Sequence, residues 1–323
     1  AKESNQILFR RMNFTDYPEL ESASIDFATP KKLTTVNPQQ EEYNWGTVEM
    51  VEWTSFEGRE LRGLLYKPED FDSTKSYPMI AYFYENYTQT IHTHYTPKPT
   101  ASIVYPTEYV SNGYIIFIPD IEYTAGHPAQ SAYDCIVSGT DYLSRKHSWI
   151  DSTRMGLQGQ SWGGYQTAQL VTMTNKYKAA MAGAPVSNMF SAYGGVRWGS
   201  GLSRMFQYER TQSRIGATIW ENPELYIENS PIFGLPNVQT PLLIMHNDGD
   251  GAVPWYQGIE LYMGLRRLNQ PVWLLNYNGD QHNLMKTANR KDLSIRMRQF
   301  FDYYLLGADI PSWMGQGVPA TDK

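Results

Sequence analysis

Seven residues constrain this chain more than any other stretch: Gly159-Gln160-Ser161-Trp162-Gly163-Gly164-Tyr165. They follow a short run, Arg154 to Gln158, that predicts a strand, and they lead into Tyr165 to Thr172, which predicts a helix. A Gly-x-Ser-x-Gly sequence in that setting places the serine on a sharp strand-to-helix turn. The turn strains the serine backbone, and glycines flank it because side chains there would collide with neighbouring backbone. The hydroxyl then stands above the sheet edge at the start of a helix, whose unpaired N–H groups favour negative charge formed nearby.

A serine hydroxyl is a poor nucleophile at neutral pH and needs a base to take its proton. In α/β-hydrolases the acid and then the histidine follow the serine, each on a loop past a later strand. Only His246 and His282 lie beyond Ser161. His246 closes an apolar run from Thr240 to Met245 that predicts a buried parallel strand. The loop after it, Asn247 to Pro254, carries Asp248 and Asp250. A further run, Pro271 to Leu275, ends in the polar loop Asn276 to Gln281 and then His282. Each candidate therefore sits past the C-terminal end of a predicted strand, the edge where open α/β sheets do their chemistry. His282 is the expected base, with a carboxylate fixing its tautomer and stabilising the imidazolium. His246 is expected to support the acid loop. Spacing leaves Asp248 and Asp250 both open, and Asp280 reads as a loop-stabilising or solvated group.

The elbow sequence, with its second glycine and following aromatic residue, resembles that of the prolyl oligopeptidase family of serine peptidases, in its dipeptidyl-peptidase and acylaminoacyl-peptidase branch. His246 to Pro254 is similar to that family's His-Gly-x-x-Asp-x-x-Val-Pro segment, and the match selects Asp250 as the acid. Gly279-Asp280-Gln281-His282 looks like its acidic-x-His segment, and Ala182 to Asn188 resembles the strand and turn that help build the pocket for the acyl residue. The resemblance runs from about Val48 to Leu306. It implies an oxyanion hole made by the Trp162 backbone N–H and a tyrosine hydroxyl at the end of the strand from Pro78 to Phe83. Alignment from Tyr77-Pro78 points to Tyr84, with Tyr82 and Tyr87 as rivals. Two departures stand out: Asn247 replaces a glycine, and Asp120 to Gly126 lacks the arginine of the family's Asp-x-Arg-Gly-Ser-Gly segment. The tract Asn188 to Gly199 either lines the substrate pocket or packs as a helical cap. The expected lining is Val186, Met189, Tyr193, Arg197 and Val253, with Arg197 facing a substrate carboxylate or a structural acid.

At 323 residues and 41% apolar, the chain can bury one large core. Two early hairpin-like strands (Val48 to Ser55, Glu60 to Tyr66), then Met79 to Tyr84, Tyr114 to Ile118 and alternating helices and strands, fit a mostly parallel α/β-hydrolase sheet. Helices are expected over Ala129 to Ser144 and Lys291 to Leu305. The Pro- and Thr-rich stretch Thr93 to Thr107 reads as an insertion near the site. Residues 1–45 read as short strands (Gln6 to Met12, Glu21 to Phe27) and a linker (Asn37 to Glu42) before a catalytic domain at 46–323. The family resemblance likens those strands to the last blade of a β-propeller, so the chain is expected to be the C-terminal part of a longer enzyme. A short N-terminal extension is the alternative. A net charge of −6 without blocks argues against nucleic acid. No apolar stretch approaches the roughly 18 residues of a membrane span. Cys135 is the single cysteine, so no intrachain disulfide is possible, and no metal-ligand spacing occurs. The implied activity is hydrolysis of oligopeptides, with no cofactor. A carboxylesterase would use the same triad, and a silent binding domain is the reading from outside enzymes. Periplasm and cytoplasm both stay open as compartments.

Overall fold

A computed structural model describes residues 3–317; positions 1, 2 and 318–323, at the outer ends of the two expected segments, lie outside the described residues. The chain begins with a three-stranded antiparallel sheet, β1 (Gln6–Arg11), β2 (Glu19–Ser24) and β3 (Lys31–Lys32). Asn37 to Glu42, expected as linker, instead contains a 3-10 turn over Pro38–Glu42, where proline at its start supplies the required φ. The Phe14 ring inserts into the main core at 3% exposure, edge-on to Tyr66, and its carbonyl accepts the Trp45 indole N–H at 2.7 Å.

The main sheet has eight strands: β4 (Thr47–Thr54), β5 (Glu60–Lys67), β6 (Tyr77–Tyr82), β7 (Ile115–Pro119), β8 (Ile150–Gln160), β9 (Ala179–Gly183), β10 (Leu242–Met245) and β11 (Val272–Leu275). Their spatial order is β11-β10-β9-β8-β6-β7-β5-β4. The β4–β5 and β5–β7 pairs are antiparallel, and every pair from β7 to β11 is parallel. Parallel strands covered on both faces read as continuous apolar runs, and β6, β7 and β10 are buried at every position.

Successive side chains alternate between the faces. Met79, Ala81 and Phe83 join the core under helices Pro128–Lys146, Trp162–Met173 and Tyr256–Arg267. Ile80 and Tyr82 join the opposite core, covered by helix Thr287–Phe301. That last helix starts four residues earlier than the Lys291 expected from the sequence, and its final turn widens to a π-helix through Leu306. The expected insertion is irregular through Val104 and is pinned to β8: Gln158 accepts the Val104 N–H at 2.9 Å and donates to the Ser102 carbonyl at 3.0 Å. Among the described residues no helix is long and apolar enough to cross a membrane.

Candidate active site

β8 lies in the middle of the sheet, and Ser161 follows its last residue. Its backbone is at φ 60°, ψ −112°, a region that costs a non-glycine residue strain energy. The surroundings hold it there. Its N–H donates to the Gly183 carbonyl at 2.8 Å, and its carbonyl accepts the Tyr165 N–H at 2.9 Å. A Cβ on Gly159 would lie 2.2 Å from the Gly163 carbonyl oxygen, and one on Gly163 would lie 2.3 Å from that of Phe83. The missing side chains thus let strand, turn and helix touch backbone to backbone. The same approach brings the end of β6, and with it Tyr84, against the elbow.

The loop after β10 presents a buried carboxylate. Asp250 is 1% exposed. Its Oδ1 accepts the N–H groups of Ala252 (2.8 Å) and Val253 (2.9 Å), and its Oδ2 accepts Nδ1–H of His282 at 2.7 Å. Burial by itself would raise the Asp250 carboxyl, but hydrogen bonds from His246 and His282 outweigh it and hold the group well below the usual carboxylate range. His246 is fully buried, with Nε2 3.3 Å from Asp250 Oδ2 and 3.1 Å from the Val253 carbonyl. It braces the acid loop, the part expected of it.

The histidine loop is tied down from three sides. Gln160, beside the serine, donates to the His282 carbonyl at 2.9 Å. Asn247, the residue that replaces a glycine, donates to the Gln281 carbonyl at 2.7 Å and accepts the Tyr277 N–H at 3.1 Å. Asp280 is 1% exposed and accepts the N–H groups of Gln281 and Met285 and the Asn289 amide. Burial would raise its carboxyl, but these donors lower it. Asp280 is therefore the loop-stabilising group and not a solvated one. Asp248 is exposed and caps the Gly279 N–H at 2.6 Å. The Thr93 to Thr107 stretch also reaches this loop, through Ser102 to Asn283 at 2.8 Å and the Leu284 N–H to the Ala101 carbonyl at 3.0 Å.

Tyr84 lies two residues past β6 and is half-buried. Its hydroxyl accepts from Gln212 at 2.8 Å; Gln212 accepts from Gln207 at 2.8 Å, and Gln207 accepts from Arg197 at 2.8 Å. The rivals face elsewhere: Tyr82 and Tyr87 pack with the opposite core and share a hydrogen bond of 2.8 Å. Trp162 opens the elbow helix, where the first N–H groups have no partner within the helix. Its indole donates to the Tyr123 hydroxyl at 2.8 Å. Tyr123 belongs to the segment that lacks the family's arginine, and the Arg214 guanidinium lies over its ring at 4.3 Å.

Beside Ser161 and Trp162 is a narrow cavity lined by Val186, Arg197, Tyr208 and Val253, among others. Two expected lining residues are corrected. Met189 is fully buried in the packing core, and Tyr193 is 1% exposed with its hydroxyl donating to Glu209 at 2.6 Å. Both belong to the helix Met189–Tyr193, which packs as the cap that was the alternative reading. Arg197 faces the cavity and forms no ion pair among the described residues. The cavity also holds Arg204, Gln207, Gln212 and Ser213, which no sequence motif singled out. The only local hint was the four-residue spacing of Arg204 and Tyr208 on one helical face.

A family model described as the prolyl oligopeptidase family matches residues 107–308. The chain belongs to the prolyl oligopeptidase family. An uncharacterized peptidase of Bacillus subtilis is 26% identical over 286 residues, covering 85% of this chain and 42% of that protein. A dipeptidyl-peptidase 5 of Aspergillus oryzae is 25% identical over 283 residues, covering 83% of this chain and 37% of that one. The chain thus spans about two fifths of the length of these relatives. Among solved structures, an acylaminoacyl peptidase of Pyrococcus horikoshii superposes with a TM-score of 0.73 at 20% identity, over 94% of this chain and 48% of that one. The fold is that of the α/β-hydrolases.

Proposed function

We propose that this prolyl oligopeptidase family chain is the catalytic part of a serine peptidase that hydrolyses oligopeptides through an acyl-enzyme on Ser161. The observation that carries the reading is the 2.7 Å contact between Asp250 Oδ2 and His282 Nδ1, on a loop that Gln160 ties to the Ser161 elbow. With Nδ1–H held by Asp250, Nε2 of His282 is left as the basic nitrogen.

In this mechanism Ser161 Oγ bonds to the scissile carbonyl carbon while His282 Nε2 takes its proton. Asp250, kept ionised by its donors, stabilises the imidazolium. The carbonyl π electrons move onto oxygen, where the Trp162 N–H and the Tyr84 hydroxyl donate to the new alkoxide. On collapse the C–N bond breaks and His282 delivers its proton to the leaving amine. Water then adds to the acyl-enzyme by the same route and releases the acid and the serine. Residues 1–45 are read as a β unit distinct from the catalytic domain 46–323, supported by their forming, among the described residues, a sheet with no ladder to the main one, while Phe14 and Trp45 anchor them to its core.

The test is covalent labelling by a fluorophosphonate followed by turnover of peptides. Ser161 is expected to carry the adduct, Ser161→Ala to abolish it, and the full-length protein to cleave short peptides as well as nitrophenyl acetate. An adduct on another serine would remove the assignment. Rapid ester hydrolysis with no peptide cleaved in a broad library would turn the reading to a carboxylesterase, because amides need the general acid that esters can do without.

A further inference from the structure

Arg204 is among the largest fully buried side chains of the described residues, at 1% exposure, and it lines the cavity beside Ser161. Its guanidinium donates to the Ala252 carbonyl and, at 2.8 Å, to the Tyr208 hydroxyl. Nε has no partner, and no carboxylate pairs with the group among the described residues. Ser213, fully buried on the same wall, has a hydroxyl that is likewise unpartnered. A buried cation without a counter-ion is costly, and a guanidinium offers five donors in a fork that fits a carboxylate. Arg197, Gln207 and Gln212 also line a neighbouring groove of about 630 Å³ that carries Arg210 and Arg214. The one acid on the groove wall, Glu85, is already paired with Arg214 at 3.3 Å.

We propose that Arg204, with Ser213 and Tyr208 beside it, makes this pocket a receptor for an acidic side chain, Asp or Glu, on the residue whose carbonyl Ser161 attacks. The inference rests on the peptidase reading of Ser161. Val186, Val253 and Trp162 contact the methylene stem, and the carboxylate meets the free face of the guanidinium. As it stands the cavity has room for little more than one water, so its wall widens as the side chain enters, with the Gln212 bond to Tyr84 kept.

The experiment compares peptide amides that differ only in Glu, Gln, Asp, Asn or Leu at that position, on the full-length protein. Glu and Gln have the same shape, so their ratio in kcat/KM reads the charge. A preference for Glu of about 100-fold is expected, as for a buried hydrogen-bonded charge pair, falling to near unity in Arg204→Met. Because that variant loses a large buried side chain and can fail to fold, binding to Ser161→Ala is measured as well: N-acetylglutamate should bind and N-acetylglutamine should not. Fluorophosphonate labelling of Ser161 with Glu and Gln peptides cleaved equally, or with Leu preferred, overturns the acidic pocket and leaves the peptidase reading intact. No labelling and no cleavage of any peptide takes both down.

Discussion

Gln212 donates its side-chain amide to the Tyr84 hydroxyl at 2.8 Å, so the tyrosine acts as acceptor there and its own proton is free. The chain behind Gln212 runs through Gln207 to the cationic Arg197. Hydrogen bonds in a chain polarise one another, and this one is oriented to make Tyr84 a stronger donor toward an oxyanion. Tyr84→Phe is expected to lower kcat by about 100- to 1000-fold, the usual cost of one oxyanion donor. Gln212→Met should lower it by about tenfold and have little further effect in a Tyr84→Phe background, the non-additivity expected of residues in one network. Equal penalties in both backgrounds would uncouple the two residues.

The three downstream aspartates should separate by function. Asp250→Asn is expected to reduce kcat by about 10⁴-fold, because His282 loses the partner that sets its tautomer. Asp248→Asn changes only an exposed cap on Gly279 and should stay within about tenfold. Asp280→Ala strands buried N–H groups and should cost about 1–3 kcal/mol of stability, read as a lower denaturant midpoint. If Asp248→Asn were the most damaging to kcat, the assignment of the acid loop would be wrong.

Asp250 also makes a pH prediction. A carboxyl in an unfolded chain titrates near about 3.9, and this one is held lower in the folded state by His246 and His282. Its contribution to stability is therefore complete above the unfolded value and is lost as the pH falls through the folded one. Urea midpoints of the wild type and Asp250→Asn should differ at pH 6 and converge as the pH drops below about 4. A gap that stays constant with pH would show that the carboxyl is not held low.

Gly159→Ala and Gly163→Ala test the elbow packing. Each added Cβ would lie within 2.3 Å of a backbone carbonyl oxygen, and backbone cannot move aside as a flexible side chain can. Both variants should be destabilised by at least the roughly 1–3 kcal/mol of an overpacked core, measured by urea unfolding. A midpoint unchanged in either would mean that strand and helix approach less closely than described.

The elbow, the order serine–acid–histidine and the parallel sheet were legible along the chain because each rests on local chemistry. Glycines at a forced turn, continuous apolar runs for doubly covered strands and polar loops after them all act over a few residues. Asp248 and Asp250 were equivalent at that range, and the resemblance to relatives chose between them. In the folded chain Asp248 caps Gly279 in solvent, while Asp250 turns inward to Ala252, Val253 and His282. The cavity wall was legible only in part: Val186, Arg197 and Val253 line it as expected, but Arg204, Gln207, Gln212 and Ser213 line it too. Met189 and Tyr193 carry the apolar and aromatic character of pocket residues, yet they pack in the core of the cap, whereas Arg204, of a type that is ordinarily exposed, is buried. Composition and spacing determined which elements form and where the strained Ser161 turn, the proposed nucleophile's seat, stands. Which side chains surround it depends on how segments far apart in sequence meet, because burial is a property of the packed neighbours and not of the residue.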